Sequence, residues 1–329
     1  MRRILVIKKL YLTAGLLFLF LNICRGDEQL KKTSFIPLWS PQAQFAGYYV
    51  AYEKGIYKKQ GLDVTIIPGG PANPPGQLLK AGKADFGIMW LTAGIRESSR
   101  ERSLVNIAQM TQRSALILVA KKSSGIRSPQ DMNGKRISFW EGDLNIQPKA
   151  FIKKFNLAVK TIPQSYSVNL FLRGGVDVVS AMWYNEYHTI LDAGIDEDEL
   201  STFFYDQYDL NFPEDGIYVQ ADKRSKDPAL CGSFVKASLE GWDYAFAHEE
   251  ETLDIILKYM RAAKVPANRV HQKWMLGKMK ELMRRKDNSG SPGTLNEQDY
   301  ERVSSEMLKL GEIRNKPEYD LFYQPVVNK

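Results

Sequence analysis

Histidine and cysteine are scarce: 329 residues supply three of the first and two of the second. His188, His248 and His271 are scattered, and neither H-E-x-x-H nor C-x-x-C occurs, so no metal site is expected. The G-x-S-x-G elbow and the G-x-x-x-x-G-K-[ST] loop are missing too, which removes the signatures of α/β hydrolases and of P-loop nucleotide enzymes. Internal repeats and low-complexity tracts are absent. If Cys24 is lost in processing, Cys231 stands alone, no intramolecular disulfide can form, and its thiol reads as a small buried hydrophobe.

A strong charge imbalance is also missing from the body of the chain. The net charge is +7, but Arg2, Arg3, Lys8, Lys9 and Arg25, with no acidic neighbour in the first 26 residues, account for five of it. The near-neutral remainder carries no footprint for nucleic acid. Long apolar runs are confined to the same N-terminal segment, where a basic start precedes residues 10–21, interrupted by Thr13. That is the layout of a secretory signal over residues 1–26, and it is short for a span of about 20 residues unless residues 4–7 extend it into an anchor. The protein is therefore expected outside the cytoplasm, periplasmic or extracytoplasmic. Cys24 is the residue a lipid tether would use, in a context, LNIC, without the small residue usual before such a cysteine.

What the chain does have is alternation. Hydrophobic content of 44% against 25% charged is that of a packed globular protein, and the length fits two lobes better than one core. From Thr33 onward strands and helices take turns: strands over 35–38, 62–67, 84–89 and 104–108, with helices over 41–60, 77–81 and 92–102 between them. A second set runs through strands at 136–140 and 176–182 and helices at 146–156, 168–172 and 184–193; a strand at 216–220 and helices over 230–248, 250–263, 268–285 and 296–310 follow. Such alternation predicts an α/β fold of parallel strands, with ligands outside their carboxyl ends. Ser40 and Pro41 suit the start of the first helix, Gly55 interrupts it and Gly61 stops it. The loop over 68–76, PGGPANPPG, is either a rigid turn or a nest of amides on the binding side. Residues 286–293, KDNSGSPG, read as a loop, and the basic stretch 278–286 as a solvated helix face or a contact for an acidic partner.

Four tryptophans fall at predicted strand ends: Trp39, Trp90, Trp140 and Trp183, two in each set. Core packing accounts for any one of them. Together they suggest indoles from opposite lobes sandwiching a flat heterocycle by offset stacking. Gln42 and Gln44 carry amides that donate and accept, as nitrogen heterocycles require. Tyr184, Asn185 and Glu186 follow Trp183 where a helix opens, and a carboxylate there serves either a ligand or the helix dipole. Asp143 and Asn145 stand at the start of the next helix, as ligand groups or as caps.

The run PQAQFAGYYVAYEKGIYKKQGLDV, with AGKADFGI at 81–88, DMNGKRI at 131–137 and the segment around Asn185 and Glu186, resembles ABC-transporter substrate-binding proteins of the thiamine-pyrimidine-synthase-like family. That family also holds binders of alkanesulfonates, nitrate and riboflavin. The resemblance implies a two-lobed, periplasmic-binding-protein-like type II fold with a hinge, lobe 1 being residues 27–120 with 216–329 and lobe 2 residues 121–215. It implies a monomer that delivers a small, planar aromatic solute, riboflavin-like or thiamine-pyrimidine-like, to an ABC permease, without cofactor or catalysis. Relatives use the region of Asn185 and Glu186 for the ligand. The alternative is the family's enzyme, a thiamine pyrimidine synthase that consumes pyridoxal phosphate and one of its own histidines. That histidine and the lysine four residues before it align with Phe45 and Pro41, which cannot do that chemistry, and the enzyme's cysteine-rich iron motif is absent. Because pyrimidine-binding relatives share the histidine, Phe45 leans toward a larger apolar ring such as a flavin. A binding module docked on a membrane receptor would look alike in sequence.

Overall fold

The computed structural model describes residues 29–285 and 292–326. The expected signal segment, Cys24 and most of the loop over 286–293 lie outside the described residues. The chain forms β1 (Lys31–Ile36), α1 (Ala46–Glu53), α2 (Ile56–Lys59), β2 (Leu62–Ile66), α3 (Pro75–Lys80), β3 (Phe86–Trp90), α4 (Leu91–Arg100) and β4 (Leu104–Gln109). It continues through β5 (Leu116–Lys121), β6 (Arg136–Phe139), α5 (Ile146–Lys154), β7 (Lys160–Pro163), α6 (Asn169–Leu172), β8 (Val178–Met182), α7 (Glu186–Asp192) and β9 (Leu200–Phe204). It ends with β10 (Asp215–Gln220), α8 (Ala221–Lys226), α9 (Pro228–Ala247), α10 (Glu249–Ala262), α11 (Arg269–Leu282), α12 (Glu297–Lys309) and α13 (Tyr319–Phe322).

These strands make two five-stranded sheets, ordered β2-β1-β3-β10-β4 and β7-β6-β8-β5-β9. Each has a parallel trio beside one reversed strand: β10 runs against β3 and β4, and β5 against β8 and β9. The purely parallel pairing expected from alternation therefore needs correcting at β5 and β10. Both are entered directly from the other sheet, so no helical crossover imposes a direction on them. Residues 115–120, read as the end of the first lobe, likewise belong to the second sheet, where Leu116–Lys121 pairs with β8 and β9. An apolar run alone does not say which sheet it joins.

The helix expected over 41–60 is broken twice. Residues 43–45 form a single tight turn before α1, and Gly55, at φ 66°, separates α1 from α2. Ser40 is not its cap. Gln272 Oε1 takes the Ala43 N–H at 2.7 Å and Met275 Sδ faces the Gln44 N–H at 3.2 Å, so α11 supplies from far along the chain what the local sequence was expected to supply. The polar edge strand β7 and the strand β9 were not expected, because neither carries a clear apolar alternation.

The first half packs α1 against α9 at backbone contact. A Cβ on Gly47 would sit inside the indole of Trp242, and one on Gly241 would strike the Gly47 carbonyl. Behind them Phe86 and Phe234 stack with ring centres 3.9 Å apart. No helix among the described residues is long and apolar enough to cross a membrane.

Candidate functional site between the two sheets

The carboxyl ends of the parallel strands bring the expected residues toward one region. Trp90 closes β3, Trp140 and Trp183 directly follow β6 and β8, and Trp39 comes three residues after β1. The reversed strands start at the same edge, so Asp215, the first residue of β10, pairs with Trp90. Glu214 and Asp215 thus reach the expected binding side by a route that the parallel pattern did not reveal.

A chain of amides leads from the surface to this pair. Gln42 Nε2 donates to Gln44 Oε1 at 2.6 Å, and Gln44 Nε2 donates to Asp215 Oδ2 at 2.9 Å. Asp215 Oδ1 is buried without a partner, as is the Trp90 indole N–H. Glu214 Oε1 accepts from the backbone N–H of Ala115 (2.7 Å) and Leu116 (3.0 Å) and from Ser114 Oγ (3.2 Å). Burial holds both carboxyls above the usual carboxylate range; for Glu214 the adjacent Asp215 adds to the rise while these donors oppose it. Tyr184 is buried, its hydroxyl pushed well up by burial and by the carboxyls of Glu214, Asp215 and Glu186. Glu186 accepts from the Met182 N–H at 3.0 Å and from Asn185 Nδ2 at 2.8 Å, and burial raises its carboxyl as well.

The four indoles do not make one sandwich. Trp39 meets Tyr166 of the opposite half, ring centres 5.5 Å apart, and Tyr166 is 76% exposed. Trp140 is buried, with its N–H donated to the Ser165 carbonyl at 3.0 Å. Trp183 is committed to packing, edge-on to Phe204 and under the Lys278 ammonium 4.1 Å from its ring centre. This also gives the basic stretch of α11 an intramolecular role. Phe45 is fully buried, because its turn is tucked under α11. Asp143 does not cap: it pairs with Arg96 of α4, which also donates to Glu312 at 3.1 Å. Asn145 makes no capping bond either; Nδ2 reaches Glu141 at 3.2 Å and Oδ1 is buried without a partner. Gly69 of the proline-rich loop lies so close to the carbonyls of Pro37 and Trp39 that a Cβ would not fit, so this loop buttresses the Trp39 strand end.

Of the spaces at the boundary between the halves, two touch the expected residues. A small void of about 20 Å³ touches Trp90, Asp143, Gln147 and Glu214. Nearer the surface, a cleft of about 370 Å³ is lined by Trp39, Pro41, Gln42, Asn185, His271 and Gln272. Tyr166, Glu214 and Asp215 carry no site signal in the sequence, and His271, scattered from His188 along the chain, meets it at 3.1 Å in the fold. They sit in loops, at a reversed strand and on a late helix, and only the fold joins them to the tryptophan edge.

Among solved structures, the periplasmic aliphatic sulphonate binding protein SsuA of Escherichia coli is similar, with TM-score 0.70 at 13% identity over 91% of this chain and 94% of that one. A formylaminopyrimidine-binding protein of Halalkalibacterium halodurans is 22% identical over 74% of this chain and 76% of its own length. The 4-amino-5-hydroxymethyl-2-methylpyrimidine phosphate synthase of Schizosaccharomyces pombe is 25% identical over half of this chain, which spans 44% of that enzyme. The fold is thus the two-lobed one of periplasmic binding proteins. With the match to NMT1/THI5 like over residues 42–252, it follows that the chain belongs to that family.

Proposed function

We propose that the protein is the extracytoplasmic solute-binding component of an ABC importer and holds a flat amino-substituted nitrogen heterocycle, of aminopyrimidine type, between its halves. The halves are residues 29–110 with 215–326 and residues 115–205, and closure about the two crossings traps the solute. The observation that carries the reading is the buried, partnerless Oδ1 of Asp215, whose other oxygen takes the Gln44 amide and whose strand partner is Trp90. A carboxyl there accepts from an exocyclic amine and, when protonated, donates to a ring nitrogen, while the flat face meets an indole. The relative that binds formylaminopyrimidine supports the same class. The lean toward a flavin rested on Phe45, which is fully buried, and so loses its basis. Catalysis of the synthase type finds no support at Pro41 and Phe45, where neither a lysine nor a histidine stands.

A thermal-shift screen of aminopyrimidines, riboflavin, alkanesulfonates and nitrate tests this, because a solute that binds only the native state raises Tm as RT ln(1 + [L]/Kd). An aminopyrimidine is expected to raise it most, and Asp215→Ala to weaken calorimetric binding about tenfold or more, a loss of about 1.4 kcal/mol. Stabilisation by a sulfonate alone, or affinity unchanged in Asp215→Ala, would remove the reading.

A further inference from the structure

We propose that His188, Asp192 and His271 form a site for a divalent transition-metal ion, with Zn²⁺ the best fit, that ties the two halves together. His188 and Asp192 are four residues apart on α7 and so share one helix face. His271 lies on α11, whose Gln272 and Met275 hold the turn before α1 in the first half. His188 Nδ1 is 3.1 Å from His271 Nδ1 and 3.2 Å from Asp192 Oδ2. All three donors fall within 4.8 Å of one another. Ligands 2.0–2.1 Å from a tetrahedral zinc are about 3.3 Å apart, so two edges of such a centre already exist. Asp192 is exposed, and rotation of its side chain closes the third.

The protons agree with this assignment. His271 Nε2 is 2.8 Å from Asn185 Oδ1, and a carbonyl oxygen only accepts, so Nε2 carries the hydrogen and Nδ1 turns a lone pair toward His188. An outer partner of this kind orients metal-bound imidazoles in general. His188 Nδ1 therefore faces two acceptors, the His271 lone pair and the Asp192 carboxylate, with at most one proton to share. A cation at the centre satisfies all three. Trp274 backs the His188 ring at 5.0 Å between centres and donates to the Trp183 carbonyl at 3.0 Å, so the imidazole is held in place. Three protein donors leave the fourth position of a tetrahedral centre to water. The cleft beside the site, lined by Asn185, Thr189 and His271, gives an ion a path in.

Zinc titration of the purified, chelator-stripped protein by calorimetry and equilibrium dialysis tests the site with no solute present, so its outcome is separate from that of the solute screen. One Zn²⁺ per chain is expected, with affinity about tenfold or more weaker in His188→Ala, His271→Ala and Asp192→Ala. Zn²⁺ should raise the Tm of the parent chain and not of the variants. Co²⁺ should give the visible absorption of a four-coordinate complex in the parent only. Circular dichroism of the metal-free variants checks that they fold, and Asp192→Ala, at an exposed position, keeps the test sound if a histidine variant does not. No stoichiometric zinc, or binding unchanged in both His271→Ala and Asp192→Ala, overturns the proposal.

Discussion

Asp215 is buried, with one oxygen on the Gln44 amide and the other on no partner. Burial moves its carboxyl up to about 7 and that of Glu214 to about 8. The native state thus holds protons that the unfolded chain has already released above the ordinary carboxylate range. Stability is highest where both states keep those protons and falls as pH rises through the interval, so Tm should drop between about pH 5 and about pH 8. Asp215→Asn, which keeps the shape and removes one titration, should flatten that slope in scans across the interval; an unaltered slope would assign it elsewhere. At this scale the tryptophans were legible, because a bulky ring just after a β run marks a strand end in any parallel sheet. Their individual orientations were not: Trp183 faces Phe204 and Lys278, neighbours 21 and 95 positions away.

Where α1 crosses α9, the backbones touch through two glycines. Gly47→Ala is expected to cost about 2 kcal/mol or more, since the added methyl must displace the buried Trp242 ring. Gly277→Ala, at a helical position with open space around it, should leave urea unfolding nearly unchanged or slightly favour the fold. Most elements could be read because apolar periodicity is local: α10, α11 and α12 begin and end within a few residues of expectation. The misplaced start of α1 and the reversed strands share one cause. Each is decided by a partner more than 55 residues away, the α11 side chains in one case and the neighbouring strands in the other.

Across the whole molecule the halves are fastened on both sides of the crossings. On one side Arg96 of α4 bridges Asp143 and Glu312, and Lys153 Nζ reaches the Lys309 carbonyl at 3.0 Å. On the other, His188, Asn185 and Trp183 meet His271 and Trp274. Removing Arg96 leaves Asp143 without its cation, so Arg96→Ala should favour the open arrangement. It would enlarge the solution-scattering radius of gyration and weaken solute binding several-fold; a radius equal to that of the parent would show that this pair does not hold the halves. None of these fastenings was legible, because each joins residues from the two sheets and depends on how the sheets face each other.

The strand order β2-β1-β3-β10-β4 carries a consequence for how the chain comes together. The second sheet draws all its strands from one unbroken stretch, 116–204, and can finish by itself. The first has a slot between β3 and β4 that only β10 fills, and β10 arrives more than a hundred residues after β4. Until then two apolar strand edges stand bare. A refolding chain monitored by pulse-labelled amide exchange should therefore protect β5, β8 and β9 before β4, and the interval between is when it is most exposed to aggregation and most in need of a chaperone.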